Sequence, residues 1–267
     1  MKDVSDKFKR ELVLRKYAIS TVKTYVGCLN GILFKIGEHP TLDQIKDFLV
    51  PIKNRSYHKQ MVGCIHRYFE FVLKQPLDLS DIPYPRHGNQ LPEILSQDEM
   101  RDLISINKNL KHQAIIFLLY GCGLRVGEVI NLKITDVDSS RMIITVREGK
   151  GNKDRQVMLD QLLLDKLRDY VKQYKPETYL FNGQFGLQYS DRSINEFLKY
   201  YAKKAKITKR VHAHMLRHSF ATHLVDAGTD MSIIQKLMGH NNIKTTQGYA
   251  RISTGLISRV KSPLANL

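Results

Sequence analysis

Four short segments in the second half of the chain concentrate residue types that act on phosphate esters. GCGLRVGEV sets Arg125 just after a glycine-rich break, with Glu128 one helical turn later. EGKGNKDR reads as a hairpin with Lys150 at its turn and Lys153 as a rival for the same role. HAHMLRHSFATHL puts His214 and Arg217 at i and i+3, on one face of a helix. LMGHNNIKTTQGYA carries His240 and, nine residues on, Tyr249. Phosphodiester transfer without a metal needs the phosphate held, its developing charge stabilised, a nucleophile deprotonated and a leaving oxygen protonated. Two arginines can clamp the non-bridging oxygens in bidentate fashion. Imidazoles can bond the phosphate or accept a proton near neutral pH. A lysine on a turn can reach a leaving 5′ oxygen as an acid. A tyrosine, with a pKa of about 10, needs such cationic company before it can attack.

Taken singly, each residue has an ordinary reading. An arginine is more often a surface or ion-paired residue, and Glu128 can pair with Arg125 inside its own helix. Tyr249 is one of 13 tyrosines. His212, His214, His218 and His223 suggest a metal cluster, but no cysteine or carboxylate completes it. His218 and His223 also miss the i, i+4 spacing of a helical metal pair. They read as structural residues on or near the packed face of their helix. The conjunction of four segments in order is what separates the chemical reading from these.

As a set, the segments resemble the tyrosine recombinase, or phage integrase, family, including the Xer-type recombinases that resolve chromosomes. GLRVGE is similar to its first-arginine box, GKGNKDR to its lysine hairpin, HMLRHSFATHL to its His-x-x-Arg box, and LMGH with Tyr249 to its last box. The resemblance extends over nearly the whole chain. It departs in Val126-Gly127, where Ile-Ser is commoner, and in VHAH, where many relatives carry a Ser or Thr-Pro turn. The resemblance implies a mainly α fold with a small β-sheet in the catalytic domain, arranged as a two-domain C-shaped DNA clamp. It implies that Arg125 and Arg217 bind the scissile phosphate, that Lys150 protonates the 5′ oxygen and that His214 assists proton transfer. His240 would bond the phosphate, Glu128 would orient Arg125, and Tyr249 would become a 3′-phosphotyrosine on the way to a Holliday junction. No cofactor and no metal would be needed. The implied partners are a specific double-stranded DNA site and further copies of the chain, as a tetramer on synapsed DNA, with or without a host factor. Two other readings share these residues: a catalytically silent DNA-binding accessory protein and a type IB topoisomerase.

Composition agrees with a DNA partner. In 267 residues, 42 Lys and Arg face 26 Asp and Glu, for a net charge of +16. Such a charge repels itself unless a polyanion or salt neutralises it, and each phosphate paired releases counterions. The basic residues run through the whole chain, which favours two DNA-facing modules over one basic arm. A hydrophobic content of 42% supports a real core. Cys28, Cys64 and Cys122 each lie in an apolar stretch and read as small buried thiols of a reducing compartment. MKDVSDKFKR has no signal-peptide core and no apolar run reaches a membrane span, so the expected location is the cytoplasm.

The elements that must position these residues follow from periodicity and caps. A first helix carries Phe8, Leu12 and Leu14 and runs out near Tyr17. Ser20 or Thr21 caps a second, with Val22, Tyr25, Val26, Leu29, Ile32 and Leu33 at helical spacing. Thr41 caps a third, ending at Pro51, and a fourth runs from about Ser56 through Met61, Ile65, Tyr68, Phe69 and Val72. That makes residues 1–82 a helical bundle, the core-binding domain of the resemblance, and the proline-rich stretch 83–94 a linker. Residues 95–267 form the catalytic domain. Ser96 with Glu99 is a capping box, and Ala114–Tyr120 is a strongly apolar segment. Met142–Val146 and Arg155–Leu159 pair as strands across the hairpin. Helices follow at Gln161–Tyr174, Arg192–Lys204, His212–Ala227 and Ser232–Met238. A tail helix from Ser253, with Leu256, Ile257 and Val260 as an apolar stripe, is too short to stand alone. It packs on its own domain or, as the resemblance implies, docks on a neighbouring protomer.

Overall fold

Leu12 and Phe8 fall four residues apart, so both point to one side of α1 (Lys2–Leu14), and both are fully buried. The computed structural model describes residues 2–78, 80–85, 92–147, 154–183, 188–240 and 243–250, the side chains of 243–245 and 250 excepted. The two cationic hairpin positions, Lys150 and Lys153, and the tail from Ser253 lie outside the described residues.

The chain divides into two compact units, Met1–Asn89 and Gln90–Leu267. In the first, α1, α2 (Ile19–Ile36), α3 (Leu42–Leu49) and α4 (Arg55–Tyr68) surround one core that includes Leu29, Ile32, Ile45, Met61, Ile65 and Tyr68. Full burial of each such side chain contributes about 1.5–3 kcal/mol. Thr41 does cap α3, and Gln44 completes the box by accepting from the Thr41 N–H at 2.9 Å. The expected Ser20 or Thr21 cap of α2 is replaced by Ala18, whose side chain caps nothing. Asn54 caps α4, which begins one residue before the expected start, by accepting from the Tyr57 N–H at 3.0 Å. Leu14, expected on the apolar side of α1, is exposed. After α4 the helix widens into a π-turn, Phe69–Leu73. His66 then holds the departing chain through the Ile82 carbonyl, 3.0 Å from its Nε2.

In the second unit the Ser96–Glu99 box opens α5 (Gln97–Ser105), with both of its hydrogen bonds made. Next comes α6 (Leu110–Gly121), apolar all round because it is central: Ala114, Ile115, Ile116, Leu118 and Leu119 are all fully buried. A short α7 (Val126–Asn131) leads to an antiparallel sheet in the order β1 (Val137–Asp138), β2 (Ile143–Val146) and β3 (Arg155–Met158). Its register pairs Val146 with Arg155 and Ile144 with Val157, so alternation buries Ile144, Val146 and Val157 together. β1 is too short to announce itself in sequence. The remaining described helices are α8 (Gln161–Tyr174), α9 (Asp191–Lys204), α10 (Ala213–Asp226), α11 (Met231–Met238) and α12 (Ile243–Ala250). Cys28, Cys64 and Cys122 are buried free thiols, as their apolar settings suggest. Among the described residues, no helix is long and apolar enough to cross a membrane.

Candidate active site

The site is built where α11 ends. A helix leaves its last carbonyls without partners and carries a partial negative charge there. Three consecutive carbonyls of this end each receive a different arginine. Leu237 takes Arg155 Nε at 2.8 Å, Met238 takes Arg217, and Gly239 takes Arg125 at 3.1 Å. Arg217 also donates to the carbonyl of Gly123. Gly123 and Gly239 both have positive φ, +62° and +58°, which a side chain resists. A Cβ at Gly123 would run into the Phe220 ring, and one at Gly239 would sit 3.0 Å from Arg155 Cδ. The two glycines thus let the chain turn sharply and present carbonyls to guanidiniums at once.

Glu128 balances this cluster. As the third residue of α7 it reaches back to the Arg125 N–H at 2.7 Å, the glutamate half of a capping box. Its Oε1 accepts from Arg125 at 2.7 Å, and Arg155 bonds it in bidentate fashion at 2.7 and 2.8 Å. Arg217 lies 3.9 Å from the same carboxylate. Burial pushes the Glu128 carboxyl up, but bonds from Arg155 and Arg125 outweigh it and hold the pKa at about 2. Arg217 is only 3% exposed. Burial and then Arg125 disfavour its charge, pulling its pKa down to about 9. Three guanidiniums around one carboxylate leave a positive excess, which an anion would relieve.

Tyr249, on α12, is 4% exposed and packs with Phe220, Val225, Ile234 and Met238. Its ring lies parallel to that of His240, 6.1 Å between centroids. His240 Nε2 is 3.4 Å from Arg217 Nη2, and its Nδ1 is 3.0 Å from Thr246 Oγ1. A guanidinium only donates, so Nε2 accepts and Nδ1 carries the proton. His214, in the first turn of α10, joins Arg125 in lining a cleft of about 580 Å³. Burial holds the Tyr249 hydroxyl protonated above its usual range, against the pull of Arg217 and Arg125. Five of the six positions expected to carry the chemistry, and Glu128, are therefore gathered round one end of α11. The sixth, Lys150, falls outside the described residues. Among those residues, no three His, Cys, Asp or Glu side chains are grouped to hold a metal ion.

Residues 93–255 match the phage integrase family. The chain belongs to that family. Tyrosine recombinase XerA of Pyrococcus horikoshii is 34% identical over 264 residues, 94% of this chain and 90% of that one. A crystal structure of XerA recombinase superposes with a TM-score of 0.60 at 27% identity, covering 98% of this chain and 99% of that one. The XerH site-specific recombinase bound to palindromic difH substrate superposes with a TM-score of 0.73 at 21% identity, covering 91% and 80%. The mainly helical fold with its small sheet is the fold of these recombinases, and this phage integrase relative is a site-specific DNA recombinase by family.

Two residues of this cluster are not singled out by the sequence. The sequence offers Arg155 only as a strand position, yet it anchors Glu128 and α11 together. It offers His218 as structural, yet its Nδ1 is 3.1 Å from the Tyr249 hydroxyl. In contrast, His223 keeps a structural place, bonded to Tyr120 at 2.8 Å.

Buried imidazoles give the recombinase an acid limit. Burial, with neighbouring cations adding, holds His218, His240 and His112, which stacks on Phe197, at about 4. Unfolded histidines titrate near pH ~6.5. Between those values the unfolded chain binds more protons than the folded one, so stability falls as pH drops from about 6.5 towards 4. Urea denaturation of the DNA-free protein should show a lower midpoint at pH 5 than at pH 7.5. Equal midpoints would mean these imidazoles are already charged in the fold.

Proposed function

We propose that this recombinase cuts a specific duplex with Tyr249, keeps the broken bond as a 3′-phosphotyrosine and exchanges strands through a Holliday junction. The observation that carries the reading is the line Tyr249–His240–Arg217. It joins a tyrosine to an anion-seeking guanidinium held by main-chain carbonyls. Arg125 and Arg217 hold the scissile phosphate, each with N–H groups beyond those given to carbonyls and Glu128. His240 meets the same phosphate, and His214, in the cleft with Arg125, assists proton transfer. The covalent link conserves the energy of the bond, so neither a nucleotide nor a divalent metal enters a step. Residues 1–82 serve as the core-binding module, residues 83–94 as the linker, and both modules grip the duplex in the cytoplasm. Four copies on two synapsed sites complete the exchange.

The test is a nicked suicide duplex carrying a site recovered by binding selection from randomised duplexes. A covalent adduct that survives denaturation, maps to Tyr249 and forms equally in EDTA is the expected result. Absence of adduct on every selected site would leave a silent accessory protein.

Lys150, in this reading, protonates the departing 5′ oxygen. A general acid matters only while the leaving group needs a proton. Lys150→Ala should therefore cleave an ordinary site poorly, by roughly 10²-fold or more, but recover on a 5′-bridging phosphorothiolate, where sulfur leaves unaided. Equal damage on both substrates would move the role to Lys153.

A further inference from the structure

Two imidazoles, His240 and His218, lie against the Tyr249 ring and a third, His214, lies beside His218, but they are not equally free to act. His240 has both nitrogens engaged: Nε2 accepts from Arg217, and Nδ1 donates to Thr246, a fully buried hydroxyl on α12. It cannot receive the tyrosine proton without giving up one of these contacts. His214 lies one helical turn before His218 on α10, their ring centroids 6.3 Å apart, and opens to the cleft with Arg125. His218 is the one whose nitrogen meets the phenol itself, Nδ1 to hydroxyl at 3.1 Å, with ring centroids 5.7 Å apart and planes at 48°.

On this geometry, and resting on the cleavage reading above, we propose that His218 is a catalytic residue: its Nδ1 takes the hydroxyl proton of Tyr249 as the oxygen attacks phosphorus. The electron pair of the O–H bond stays on the phenolic oxygen and becomes the new O–P bond. The P–O5′ bond breaks with its pair on the 5′ oxygen, which takes its proton from the acid at the lysine hairpin. His218 is left as an imidazolium. In rejoining, a 5′ hydroxyl attacks and gives its proton back to the base at the lysine hairpin. The Tyr249–phosphorus bond breaks with its pair on the phenolic oxygen, and that oxygen takes its proton back from His218.

The resting state suits this role. Burial first, then His214, Arg217 and His212, keep His218 neutral, near 4, while burial keeps the phenol protonated. The proposed step uses the tautomer in which His218 Nε2 carries the proton, so that Nδ1 accepts and the phenol donates across the 3.1 Å contact. The groups facing this pair are His214 and Arg217 from α10, His212 at its N-cap, Arg125 beside α7 and His240 after α11. All are cations or imidazoles, so an arriving phosphate opposes the field of the arginines and raises the basicity of His218 when it is needed.

His218→Asn is the decisive variant, because its Oδ1 stands near the place of Nδ1 and still accepts from Tyr249 but cannot hold a proton. On the selected suicide duplex it should bind like the parent yet cleave roughly 10²-fold more slowly at pH 7. Its rate should climb with pH as hydroxide replaces the missing base, where the parent is flatter. A 5′-bridging phosphorothiolate, which bypasses the acid, should leave this deficit in place. His218→Ala should regain rate in added free imidazole. Parental rate and pH profile in the Asn variant would overturn the proposal, as would faster cleavage, which would make His218 a latch on the tyrosine. If the Asn variant binds poorly, the Ala variant decides: no gain from imidazole overturns the assignment. A parent protein that forms no adduct at all would instead overturn the cleavage reading beneath it.

Discussion

Tyr249→Phe is expected to abolish the covalent adduct while leaving site binding nearly intact. The ring is what packs the buried end of α12 against Phe220, Val225, Ile234 and Met238, and phenylalanine keeps the ring. Only the hydroxyl goes, and with it the bond to His218. One hydrogen bond of this kind contributes about 0.5–1.5 kcal/mol, too little to unfold the unit. The nucleophile, by contrast, has no substitute within the described site: no other tyrosine shares the stack with His240. The measurement is adduct formation on the suicide duplex beside a gel shift on the intact site. Adduct in the Phe variant would sink the assignment of Tyr249, and loss of binding would show that the hydroxyl serves the fold.

Glu128→Gln should cost both stability and cleavage, and by more than any surface charge change. The side chain keeps its shape, yet three guanidiniums lose the carboxylate they share. Removing one partner of a buried ion pair typically costs about 3–5 kcal/mol, because the other charge stays buried and unpaired. For a domain of this size that is a fall of roughly 6–20 °C in melting temperature. Cleavage should fall as well, since Arg125 takes its direction from Glu128 and Arg217 is already short of counter-charge. Replacing Arg155 in the same protein should return part of the stability without the cleavage, because one of the crowded cations is gone. Calorimetry with the suicide assay reads both. A Gln variant that melts with the parent would mean that the carbonyls of α11 alone hold the arginines.

How much of this was legible before the structure depends on how local each signal is. The Thr41 and Ser96 caps are read from three or four adjacent residues, and both are made as expected. The strands facing each other across EGKGNKDR are legible for the same reason, and differ from expectation by one residue each. Arg125 and Glu128 pair within one turn, so their partnership could be seen in the letters. α12 could not: Ile243–Ala250 includes two threonines and Gly248, poor helix formers, and it exists because Thr246 and Tyr249 bury themselves beside α10 and α11. Ser20 and Thr21 look like caps, but α2 starts at Ile19, ahead of both. Arg155 and His218 do not stand out in the sequence because their partners are 27 and 31 residues away along the chain. Spacing rules describe one helix or one hairpin. They are silent about what meets across a fold.

The acceptors that aim the three arginines are peptide oxygens, at Gly123, Leu237, Met238 and Gly239. A peptide oxygen belongs to every amino acid alike. The arrangement is therefore inherited through the route of the chain, and the letters at Leu237 and Met238 can drift while they still fill the core. Drift stops at the two glycines, where any side chain would bend that route and turn its oxygens away from the guanidiniums.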